Sequence, residues 1–137
     1  MLNVMQILIV IAIALHAVAA AFWMGSSMSL ARPGAIGAEM MFPRQMMAAL
    51  LVTMTGGFLW SQLHTGGFGP YEMVLAIGAV LAVIAAGIQG VVVGGSLRRL
   101  KAGGDAEPLR KRISLGYRVG GGMLGLCLIC MVIARFI

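Results

Sequence analysis

The stretch "VMQILIVIAIALHAVAAAFWMGSS", Val4 to Ser27, contains no Asp, Glu, Lys or Arg. A helix of about 20 apolar residues crosses the roughly 30 Å hydrocarbon core of a bilayer, and this run is long enough to do so. The rest of the chain has the same character. Of its 137 residues, 61% are hydrophobic and 10% charged, with a mean hydropathy of +1.00. Soluble domains carry roughly a quarter charged residues and about half apolar ones. The composition is that of an integral membrane protein.

Three further apolar runs follow, Met46–Leu63, Tyr71–Gly94 and Ile113–Phe136. They are uninterrupted and lack the period-two alternation of barrel strands, so they read as helices. The expected fold is all-α: one integral membrane domain over residues 1–137, a bundle of four transmembrane helices. The first run reads as a retained helix and not as a cleaved signal peptide. No Lys or Arg precedes Arg32, and its apolar core is too long.

The net charge of +6 is unevenly placed. Arg98, Arg99, Lys101, Arg110, Lys111, Arg112 and Arg118 flank or occupy the connection between the third and fourth runs, whereas "HTGGFGPYE" has no Lys or Arg. This is a topology signal and no sign of nucleic-acid binding. The positive-inside rule sets the basic connection in the cytoplasm and both termini on the opposite side, as in a multi-pass protein of a bacterial inner membrane. The basic residues would also meet anionic headgroups there. The two longest connections, "SLARPGAIGAEMMFPRQ" and "RRLKAGGDAEPLRKR", read as loops punctuated by Pro33, Pro43 and Pro108.

Glycine occurs 20 times. Gly90 and Gly94, Gly116 and Gly120, and Gly121 and Gly125 form G-x-x-x-G pairs, which let helix backbones approach closely in lipid. Two readings fit them: helix packing, or room for a flat cofactor between helices.

His16 lies about 12 residues, or about 18 Å, into the first helix, near the bilayer midplane. Ala12, Ile13, Ala19, Ala20 and Trp23 share its face. An ionisable side chain at that depth marks a functional site by default, although a neutral imidazole can also simply bond a carbonyl or hydroxyl on a neighbouring helix. As a functional group, it would be a ligand to haem iron or copper. Thr53, Met54 and Thr55 of the second helix and Met123 to Cys127 of the fourth fall at similar depth, so Met54 or Met123 could complete a His/Met axial pair. His64 is much shallower and stands one turn from Trp60. It reads as an interfacial His–Trp anchor or as a ligand in a second site near the surface. Cys127 and Cys130 form C-x-x-C inside an apolar helix, far from the N-terminal setting that activates such thiols. They read first as small core residues; copper(I) ligation is the lesser reading, which the 12 methionines keep open. No hydrolytic triad, phosphate loop or intramembrane carboxylate pair is visible.

"LHAVAAAFWMG", with the spacing His16-x6-Trp23-x-Gly25, resembles the first helix of a loose group of small bacterial membrane proteins. The group includes the copper-resistance D domain and HemJ-type protoporphyrinogen oxidases. "TGGFLW" (Thr55–Trp60) is similar to the T-G-aliphatic stretch of their second helix, and "FGPYEMVLAIGAVLAVIAAG" to their third. The resemblance implies a b-type haem or a copper ion on the first-helix histidine, here His16. HemJ-type enzymes carry a lysine in the third helix, whereas here only apolar and glycine residues separate Glu72 from Gln89. The resemblance therefore does not extend to their reaction.

The leading expectation is a small membrane protein that binds haem b through His16 and passes electrons, with Trp23 and Gly25 lining the cofactor. Copper binding or passage through Met, His16, His64 and Cys is the alternative. A third reading needs no cofactor: a homo-oligomer, or a structural subunit of a larger membrane complex, packed through its glycine faces and surrounded by lipid.

Overall fold

Helix formation begins at Asn3. Its Oδ1 accepts from the Gln6 amide at 2.8 Å, and Gln6 Oε1 accepts from the Asn3 amide at 2.9 Å. This reciprocal cap satisfies two amides that a helix start leaves without partners. The computed structural model describes residues 1–64 and 66–137; Thr65, in "HTGGFGPYE", lies outside the described residues. In it α1 spans Val4–Leu30, α2 Ala38–Leu63 and α3 Pro70–Ile88. A π-helical turn, Gln89–Val93, carries α3 directly into α4, Gly94–Lys101. After a short turn, α5 spans Ala106–Ala134. Four rods result, the third running from Pro70 to Lys101, and each is long and apolar enough to cross a membrane. No strand occurs among the described residues.

The helices outrun the apolar segments, for electrostatic and capping reasons. α2 begins at Ala38, not Met46, behind Gly37 at φ 91°, and Glu39 in its first turn complements the positive end of the helix dipole. Pro43 sits inside α2, where its ring nitrogen withholds a single amide from the ladder. Most of the expected basic loop is also helical. Arg98, Arg99 and Lys101 fill the last turn of α4, and Glu107 lies in the first turn of α5, each placed favourably on its dipole. Pro108 falls in that first turn, where its missing N–H has no helical partner to lose. What remains is a tight turn in which Gly103, at φ 94°, lets the Gly104 amide reach the Arg99 carbonyl at 2.9 Å.

α1 packs on α2, α3 packs on α5, and contacts between α1 and α5 join the two pairs. Glycine sets several of these distances. A Cβ on Gly116 would stand 2.8 Å from Val93 Cγ2, and one on Gly78 would stand 3.3 Å from Cys130 Cβ. At the basic end, Leu30, Ala35, Ala38, Val93, Ile113 and Tyr117 form one buried cluster. There the α1–α2 connection is clasped to α5: Ser114 Oγ donates to the Ala31 carbonyl at 2.9 Å, and Arg110 pairs with Glu39. Large apolar side chains point outward instead, as with Val18 at 71% and Val80 at 57% exposure. An apolar exterior of this extent suits lipid contact.

Candidate functional site

The bundle is polar inside as well as apolar outside. On α1 the buried stripe Ala12, Ala19, Trp23, Ser27 and Leu30 has helical spacing, and half-buried His16 lies on it. His16 Nδ1 stands 2.9 Å from Thr55 Oγ1 on α2. The Thr55 hydroxyl in turn donates to the Leu51 carbonyl at 2.7 Å, one turn back on its own helix. A hydroxyl carries one proton, so with that proton directed at Leu51 the Thr55 oxygen is free to accept from a His16 Nδ1–H. Nε2 is then the lone-pair nitrogen. The Val52 backbone also lies within hydrogen-bonding reach of the imidazole. Gly56 makes the approach possible: a Cβ there would stand 3.2 Å from His16 Cε1.

Towards the basic end, a second set of polar groups ties all four rods together. Trp23 Nε1, on α1, donates to Gln89 Oε1 in the π turn at 2.7 Å, and Gln89 Nε2 donates to Ser27 Oγ at 2.8 Å. Gln45 Nε2, on α2, donates to Ser26 Oγ at 2.9 Å, and Tyr117 Oη, on α5, donates to Gln45 Oε1 at 2.6 Å. Gln45 and Gln89 are 0% exposed. No buried side-chain nitrogen or oxygen lacks a partner among the described residues, so this network is closed. Gly120 leaves the space for Gln89, whose Nε2 would be 2.8 Å from a Cβ at that position.

The residues singled out from the sequence are thus distributed over several places. His16 meets Thr55 and Gly56, within the "TGG" stretch. Trp23, 2% exposed, is two turns from His16 on the same stripe and directs its indole nitrogen to Gln89. Gly25 faces outward, and a Cβ there would meet nothing within 4 Å. Met54 is 64% exposed on the outer flank of α2, and Met123 packs against the central cluster containing Ala19 and Trp23. His64 caps the end of α2 and stacks on Trp60, with ring centroids 4.6 Å apart and planes at 14°. Cys127 and Cys130 are free thiols beside Gly78. Among the described residues, no group of three or more His, Cys, Asp or Glu side chains is arranged to hold a metal ion.

Gln45, Gln89, Ser27 and Tyr117 were absent from the sequence-based site. Gln89 carried a usable signal, since it is the only strongly polar side chain between Glu72 and Ser96, and polar residues inside membrane helices face neighbouring helices. No protein-family model, curated protein or solved structure matches the chain.

Proposed function

We propose that the chain is a small b-type haem protein of the membrane that passes electrons, with His16 as the residue that would hold the iron. The observation that carries this reading is the Nδ1–Thr55–Leu51 relay. Metal-binding histidines characteristically donate their other ring N–H to a fixed acceptor, which sets the tautomer and ring orientation. Here the acceptor is Thr55 Oγ1 at 2.9 Å. The ring lies on the face of α1 that carries Ala12, Ala19 and Ala20, with Gly56 beside it. A haem would supply a one-electron couple, while His16 would hold the iron and Thr55 would orient the imidazole.

The only other histidine, His64, lies at the end of α2, so one chain offers no bis-histidine pair at this depth. Any second protein ligand would come from Met54, Met123 or a second copy's histidine. The positive-inside rule sets the basic end of the bundle in the cytoplasm, consistent with a bacterial inner membrane.

Absorption spectra of detergent-purified protein, oxidised and dithionite-reduced, test this reading. The expected result is a Soret band with reduced α and β bands, absent from His16→Ala. Colourless protein from haem-replete cells would overturn it.

A further inference from the structure

A groove of about 650 Å³ opens at the basic end, between the start of α2 and the π turn with α4. Its floor is apolar, formed by Phe42, Pro43, Gly90 and Leu97. The floor is shaped by the glycine pair. Gly94 is filled by the Phe42 ring, since a Cβ there would be 2.9 Å from Phe42 Cζ, whereas a Cβ on Gly90 would meet nothing within 4 Å. Gly90 therefore leaves the groove open and Gly94 seats its wall.

Three cations, Arg98, Lys101 and Arg110, and one carboxylate, Glu39, stand around this floor. Arg110 is paired with Glu39. Arg98 and Lys101 enter no ion pair among the described residues, and both are exposed. A slot that is apolar along the helix and cationic at its mouth matches an amphiphile with an anionic head. Basic recesses between membrane helices bind lipid headgroups in this way. A soluble anion would gain nothing from the apolar floor.

We propose that the groove is a binding site for an anionic phospholipid, with an acyl chain lying over Gly90 and the phosphate held by Arg98 and Lys101. The site is separate from His16 and independent of any cofactor there.

Native mass spectrometry of the full chain, released from detergent after incubation with dioleoyl phosphatidylglycerol or dioleoyl phosphatidylcholine, reads the bound lipid directly. A retained phosphatidylglycerol adduct is expected, with phosphatidylcholine held far more weakly. Arg98→Gln combined with Lys101→Gln should weaken the adduct about 25-fold, at about fivefold for each cation near anionic lipid. Gly90→Leu should abolish it by filling the floor with every charge left in place. Arg112→Gln, a basic residue at the same end but outside the groove, should leave it unchanged. An adduct insensitive to Gly90→Leu, or lowered equally by Arg112→Gln, would mean diffuse attraction and overturn the site. Equal retention of phosphatidylcholine, or displacement by glycerol 1-phosphate as effective as by lipid, would overturn the choice of ligand. The two exposed cations can be changed without touching the core, so that arm stands even if Gly90→Leu misfolds.

Discussion

Thr55 decides what His16 can do. With its hydroxyl proton directed at the Leu51 carbonyl, it can accept from an Nδ1–H, the tautomer that keeps the Nε2 lone pair free. Replacing it by valine keeps the shape and removes the acceptor. On the proposed haem reading, Thr55→Val should weaken haem affinity by about 10- to 100-fold, the usual cost of losing such an outer partner, and Thr55→Ser should restore most of it. Titration of haem into the apo-protein checks both. The depth of His16 and the set of residues opposite it are readable from the sequence, because helical rise is fixed. Which of Thr53, Met54 and Thr55 faces α1 is not. Successive residues on a helix differ by about 100° in direction, and the rotation of α2 is set by distant contacts such as Gln45 with Ser26 and Tyr117.

The third rod shows the same division between elements. Its existence is plain in the apolar run, and its length is not. The extension to Lys101 depends on cations that stabilise a helix C-terminus while breaking the hydropathy pattern. The π turn depends on a tertiary requirement: Gln89 must present its amide to Trp23 and Ser27 on one side while Gly120 passes close on the other. Gln89→Leu removes both hydrogen bonds and leaves a buried indole N–H without a partner. Interhelical hydrogen bonds in membranes average about 0.6 kcal/mol, and an orphaned buried donor costs about 1–3 kcal/mol. The variant should thus be less stable by about 2 kcal/mol, with His16 undisturbed. Unfolding of purified protein by a denaturing detergent measures the difference.

For the whole molecule, the four-rod architecture is legible because lipid imposes it: length, apolarity and satisfied backbone groups leave few alternatives. The internal polar network is less legible, since serine, glutamine and tyrosine acquire partners only once all four rods are placed. The asymmetry of charge has its own expected consequence. Alkaline phosphatase fused after Ile137 should be active, and the same enzyme inserted in the Ala102–Asp105 turn should be inactive. The reverse pattern would invert the bundle.

The π turn also bears on how this chain can change in length. A π turn holds one residue more than an α-helix of the same span, so the third rod carries a single residue of slack. Deleting an outward residue there, such as Val91 at 74% exposure, would restore regular winding. The segment beyond it would keep its azimuth, so Arg98 and Lys101 would hold their places just as Gly78 keeps its contact with α5. Of the four rods, only this one could absorb a one-residue deletion without shearing its whole interface.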